Sequence, residues 1–152
     1  VLYDSRVICE YLDHAAGGKL FPPGSAPRWR ALRDQALGDG LLDAAVLARY
    51  EAAVRPEAFR WQAWSDGQAA KIASCLGVIE SDADQFGERI DIGTITIGCA
   101  LGYLDLRFAD LAWRSAHPRT ANWFARLSER PSMRVSAPPA APPAAPAAPA
   151  GR

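Results

Sequence analysis

The sequence predicts an all-α fold, and three observations carry that expectation. Apolar residues recur three and four positions apart through most of residues 5–128, which is the period of an amphipathic helix. Gly and Pro gather between those stretches, at Gly17-Gly18, Pro22 to Pro27, Pro56 and Pro131, where they end one helix or open the next. Only Val1 to Tyr3 look like strand, the end of one too short to stand alone. Of the 152 residues 49% are apolar, enough to build a core at this length.

Taken in order, Asp4-Ser5 open a helix whose apolar face is Val7, Ile8, Tyr11, Leu12 and Ala15, and Gly17-Gly18 stop it. A connector with Pro22, Pro23, Gly24 and Pro27 follows. A long helix is predicted from about Arg28 to Val54, with Trp29, Leu32, Ala36, Leu42, Ala45, Val46 and Tyr50 as its stripe. Gly38-Asp39-Gly40 interrupts it, and each mid-helix glycine costs roughly 1 kcal/mol relative to Ala. That cost implies a kink there, or a close approach by another chain or a ligand. Pro56 ends this helix and begins the next, predicted to run to about Ser81 on a core face of Trp61, Trp64, Ile72, Cys75, Leu76 and Ile79.

Residues 90–108 are apolar on every side, with Ile92, Ile95, Cys99, Gly102 and Leu106 in one row and Ile97, Leu101, Tyr103 and Leu104 on the others. A helix of that kind is a buried central one. Asp91 is its predicted N-cap, with Thr94 three residues on and Ile90 placed to staple onto Ile95. A last helix begins at Pro118, turns Ala121, Phe124 and Leu127 inward, and stops before Arg130-Pro131-Ser132. From Ala137 the chain is almost entirely Ala and Pro, a composition that predicts an extended tail with no packed core. The expected organisation is therefore a stub at 1–16, a linker at 17–26, an all-α domain at 27–136 and a tail at 137–152.

Composition excludes several function classes. Seventeen basic and 17 acidic side chains balance, with no basic stripe for a nucleic acid. No apolar run approaches the ~20 residues of a membrane span. The first residues do not read as a signal peptide, and the cytoplasm is the expected compartment. Cys9, Cys75 and Cys99 are scattered, with no His at ligand spacing, and are expected to be buried free thiols rather than metal ligands. His14 and His117 are expected at loops or caps. The chain lacks an initiator Met and begins in mid-pattern, so its natural start is expected elsewhere.

Four stretches, in order, resemble one family. Tyr3-Asp4-Ser5-Arg6-Val7-Ile8-Cys9-Glu10-Tyr11-Leu12 is similar to the segment closing the thioredoxin-like domain of glutathione transferases. Asp39-Gly40-Leu41-Leu42-Asp43-Ala44-Ala45, with Arg49-Tyr50-Glu51 and Arg55-Pro56-Glu57, resembles the fourth and fifth helices of bacterial members. Gly98-Cys99-Ala100-Leu101-Gly102-Tyr103-Leu104-Asp105 resembles their buried sixth helix. His117-Pro118 through Trp123 to Arg130-Pro131-Ser132-Met133 resembles their closing helix. The chain is thereby identified as a member of the bacterial type, carrying the C-terminal helical bundle and a short stub of the thioredoxin-like α/β domain. It departs from the family pattern where Asp91 and Thr94 stand exchanged in the capping box, which predicts a slightly destabilised helix.

The resemblance implies glutathione as substrate, an unknown small electrophile, a homodimer and no metal. It implies that Asp4 and Ser5 hold the γ-glutamyl end of glutathione. A helix N-terminus and a Ser hydroxyl offer donors to a carboxylate, and an adjacent carboxylate receives an ammonium. Asp39 and Asp43 border the implied cleft, and Tyr50 and Trp113 are candidates to line the electrophile pocket. Asp105 is expected to pair locally, with Arg107 or a backbone group. The residue that activates the glutathione thiol belongs, by the resemblance, to an N-terminal region outside these residues, so the chain is expected to be inactive as it stands. The alternative is a non-catalytic binding or scaffold domain of the same fold.

Overall fold

The structure is a computed structural model and describes residues 1–138. The greater part of the predicted Ala/Pro tail, from residue 139, lies outside the described residues. The described chain is helical and forms no strand, so Val1 to Tyr3 are irregular rather than the end of one. The helices are α1 (Ser5–Ala15), α2 (Ser25–Ala53), α3 (Gln62–Phe86), α4 (Ile92–Arg107), α5 (Trp113–Ala116), α6 (Pro118–Ser128) and α7 (Pro131–Ser136). Two 3₁₀ turns, Glu57–Phe59 and Ala109–Leu111, join neighbours. No single helix among the described residues is long and apolar enough to cross a membrane.

Helix α2 runs unbroken through Gly38-Asp39-Gly40, and the reason is close packing inside the chain itself. A Cβ on Gly38 would stand 2.9 Å from the backbone of Thr96 and Ile97, and one on Gly93 would stand 2.5 Å from the Ala31 carbonyl oxygen. Helices α2 and α4 therefore touch backbone to backbone, and only small residues fit along the seam. This displaces the predicted stripe. The buried row is Ala31, Asp34, Gln35, Gly38, Leu41, Ala44 and Ala45, whereas Trp29, Ala36 and Tyr50 are exposed. The backbone contacts at Ala31 and Gly38 leave no room for a large side chain at those two positions.

The turn after Pro56 delays α3 until Gln62. The buried Glu51 of α2 organises that turn, since its carboxylate accepts the Trp61 N–H at 2.8 Å and the Arg55 guanidinium at 2.6 Å. Burial along α3 starts only at Gln68, so Trp61 and Trp64 are exposed and not core as predicted. The helix also outruns its predicted end, burying Ala83 and Phe86 before Gly87 takes a φ of +52° and stops it.

Helix α4 has the predicted start. Asp91 accepts the Thr94 N–H at 3.0 Å and the Thr94 hydroxyl receives the Asp91 N–H at 3.1 Å, so the exchanged box still closes both ways. The helix is not buried all round, however. Ile97, Ala100, Leu101 and Leu104 are buried, while Cys99 is exposed and Ile95, Gly102 and Leu106 are half-buried. One row of α4 is left uncovered by the described chain. The core closes beyond α4, where Trp123 of α6 meets Phe86 at 4.8 Å and Trp113 meets Phe124 at 6.2 Å between ring centroids.

Helix α6 begins at Pro118 as predicted, but its cap comes from another helix. Glu80 of α3 accepts the Arg119 and Thr120 N–H groups at 3.1 and 2.8 Å and the Thr120 hydroxyl at 2.7 Å. After α6 the chain does not leave the bundle. It forms α7, a further turn that the sequence did not suggest.

Candidate functional site

The α1 N-terminus gathers most of the residues the sequence singled out. Asp4 has a φ of +70°, a backbone state that L side chains rarely hold. Its carboxylate accepts the Arg6 N–H at 2.9 Å and so caps the helix. Ser5, exposed, takes the first helical position, and its hydroxyl has no partner among the described residues. Arg6 reaches across to Asp39 of α2 at 2.7 Å. The bond to Asp39 raises the Arg6 pKa, and the charges of Asp4 and Asp43 raise it further. Asp39 thus holds the guanidinium directly, the charges of Asp4 and Asp43 act on it from farther off, and Ser5 precedes it in the chain.

Helix α1 is held on its polar side. Besides Arg6–Asp39, Arg28 donates to Glu10, and exposed pairs of this kind add at most about 1 kcal/mol each. Asp13 is the stronger tie. It is buried and accepts the Lys19, Leu20 and Phe21 N–H groups at 2.9, 2.8 and 3.1 Å. Burial pushes its carboxyl up, but those three N–H groups and His14 outweigh it and the pKa falls. The Leu20 carbonyl then accepts the Ile92 N–H at 2.9 Å, linking the loop to the start of α4. The predicted apolar face of α1 points the other way, and Val7, Ile8, Tyr11 and Leu12 are all exposed.

Trp113 lines an apolar recess of about 220 Å³ with Ala48, Ile72 and Leu76, and a roomier apolar cavity lies elsewhere. It occupies about 490 Å³ against the uncovered row of α4, between Leu42, Cys99, Tyr103, Leu106, Phe124 and Met133. Tyr50 lies on a separate recess at the end of α2, with Val54 and Pro56. Trp113 is buried, its indole N–H donating to Asp105 at 3.0 Å. Asp105 also takes Arg114 in a two-point pair, so its partner is Arg114 and not Arg107. The signal for the cavity was in the sequence: Cys99, Gly102 and Leu106 share a row, but all-round apolarity made that row look buried.

The cysteines are free, and they are not uniformly buried: Cys9 and Cys75 are half-buried and Cys99 is exposed. Burial raises the Cys75 thiol. At Cys99, whose sulfur is less open than the residue as a whole, desolvation and the nearby Cys9 act in the same direction, the opposite of the depressed pKa that activates a thiol. Among the described residues no three His, Cys, Asp or Glu side chains cluster as a metal site.

Residues 62–126 match the family described as glutathione S-transferase, C-terminal domain. A solved glutathione transferase family member from Pseudomonas fluorescens, with bound glutathione, is 47% identical. The match covers 91% of this chain and 68% of that one, with a TM-score of 0.87. A glutathione S-transferase from Methylobacillus flagellatus with glutathione bound is 37% identical over 90% of this chain and 70% of its own, with a TM-score of 0.84. The uncharacterized GST-like protein YibF of Escherichia coli is 29% identical over 141 residues, which is 90% of this chain and 69% of that protein. With this identity along nearly the whole chain, and the helical bundle that goes with it, the chain belongs to the glutathione transferase family.

Proposed function

We propose that this chain supplies the helical wall and the γ-glutamyl subsite of a glutathione-using transferase. In this reading the Ser5 hydroxyl and the free N–H groups of the first α1 turn receive the γ-glutamyl carboxylate. Asp4 receives the ammonium, with Asp39 and Asp43 adding negative charge nearby. The observation that carries the reading is the α1 N-terminus itself, where Asp4 caps the helix, Ser5 stands exposed at its first position and Arg6 ties it to Asp39. Glutathione bound to two of the similar solved proteins supports the ligand.

The electrophile, on the same reading, is an apolar molecule lodged against Tyr103, Leu106 and Phe124 in the 490 Å³ cavity. Activation of the glutathione thiol falls to a group outside these residues, in line with the raised Cys75 and Cys99 thiols. We also assign a homodimer, which the exposed Phe59, Trp61 and Trp64 beside α2 support.

The test is an amide chemical-shift titration of the chain with glutathione. Movement of the residue 4–6 and Asp39 signals, lost in Asp4→Ala, is the expected result. Unmoved signals at those positions would sink the proposal.

A further inference from the structure

A second, cationic recess lies on the face of the bundle formed where the α3–α4 turn meets α6. It holds about 260 Å³ and is walled by Glu88, Arg89, Trp123, Arg126, Leu127 and Arg130. Three arginines thus line one small cavity in a chain whose charges cancel overall. Two of them have no carboxylate partner among the described residues, since neither Arg126 nor Arg130 forms an ion pair. The neighbouring acid Glu129 is occupied by Arg134.

The third guanidinium is anchored and incomplete. Arg89 reaches the fully buried Asp34 of α2 through Nη2 and lies 3.0 Å from Asp91 through Nε. Its Nη1 is buried and has no hydrogen-bond acceptor. An unmet buried donor on a cation is costly, and such groups are normally completed by water or a ligand. The missing acceptor and the two unpaired arginines call for the same chemistry, a compact group rich in negatively charged oxygen. Arg suits it because its forked donors pair with oxyanions at two points. Arg126 lies in the last turn of α6 and Arg130 is the extended residue that joins α6 to α7, and both line the recess. Glu88 on the wall limits the surplus charge and favours an anion small enough to avoid it.

We propose that this recess is a binding site for a phosphate-class oxyanion, held by Arg126 and Arg130 with Arg89 as the fixed base of the site. It is separate from the α1 N-terminus and does not depend on the transferase reading.

The experiment is calorimetric titration of the full chain with inorganic phosphate, at an ionic strength held constant with chloride. Saturable one-to-one binding is expected. The double variant Arg126→Ala/Arg130→Ala should weaken it by at least about tenfold, the size of one lost charged hydrogen bond. Both side chains are exposed, so the variant should keep its fold, and circular dichroism checks this. Glu88→Gln should tighten binding a few-fold by removing the opposing charge. No saturation, equal binding by acetate, or unchanged binding in the double variant would each overturn the site.

Discussion

Gly38 of α2 and Thr96 of α4 meet so closely that a single added methyl group at Gly38 would lie 2.9 Å from the Thr96 carbonyl carbon. Gly40, two residues on, has nothing within 4 Å of its own added Cβ. The two glycines should therefore answer the same substitution with opposite signs. Gly38→Ala should destabilise by about 1–2 kcal/mol, since overpacking of about 1–3 kcal/mol exceeds the gain of up to ~1 kcal/mol in helix propensity. Gly40→Ala should stabilise by up to about 1 kcal/mol. Urea unfolding midpoints of the two variants decide the matter.

Glu80 should give the fold a measurable acid sensitivity. Burial pushes its carboxyl up, but bonds from Thr120 and Arg119 outweigh that and hold the pKa at about 2. A carboxylate depressed in the folded state contributes stability above its unfolded pKa and loses it as pH falls toward the folded value. Stability should thus decline from the ordinary carboxylate range down to about 2. Glu80→Gln should cost about 1–2 kcal/mol near neutral pH, as losing a helix cap does, and flatten that decline. A pH series of unfolding midpoints for both proteins provides the check.

Asp105 serves two donors of unequal importance. Asp105→Ala leaves the buried Trp113 N–H without an acceptor and should cost about 1–3 kcal/mol. Asp105→Asn keeps an oxygen for the indole and loses the charge opposite Arg114, a half-exposed pair worth at most about 1 kcal/mol. If chemical unfolding ranks the two variants as equal, the indole bond is not the important one.

The outward stripe of α1 should make the isolated chain self-associate. Val7 and Leu12 are 50% and 57% exposed, and a contiguous apolar face of this kind is a contact surface. Val7→Lys with Leu12→Lys should abolish sedimentation of species larger than the dimer and leave the dimer in place. The unfolding midpoint should stay within about 0.5 kcal/mol of the parent, as for surface changes.

What the sequence disclosed depended on how local the cause was. The α4 start was legible because Asp91 and Thr94 lie within one turn, and a Thr hydroxyl closes the box in place of a carboxylate. The α6 start was legible only by half: Pro118 is a local mark, but its cap Glu80 sits 40 positions from Thr120. The α2 stripe failed because hydrophobicity selects Trp29 and Tyr50, whereas the seam with α4 selects for smallness. Asp34 in that seam carries no local mark of burial, and the guanidinium groups of Arg33 beside it and of the distant Arg89 make that burial tolerable. At the candidate glutathione site, Asp4 and Ser5 were adjacent and visible. Arg6 was quoted in the same motif, but its bond to Asp39 of α2, 33 positions away, required the fold. The apolar cavity was missed because apolarity on all sides of α4 does not say which side remains open.

The α2–α4 seam also bears on the order in which the chain can assemble. Its partners lie far apart in sequence, 55 positions for Asp34 and Arg89, and α3 occupies the interval. The long loop between them must close before any seam contact can form, so its entropy is lost in advance of the reward. Helices α2 and α3 can pair as a hairpin early, but α4 must then slide its Gly93 edge into a slot shaped by Ala31 and Gly38. The tightest joint in the bundle is therefore among the last to be made. Its closure is the step expected to limit the folding rate, and a chain in which α4 has not yet docked exposes the slot in full.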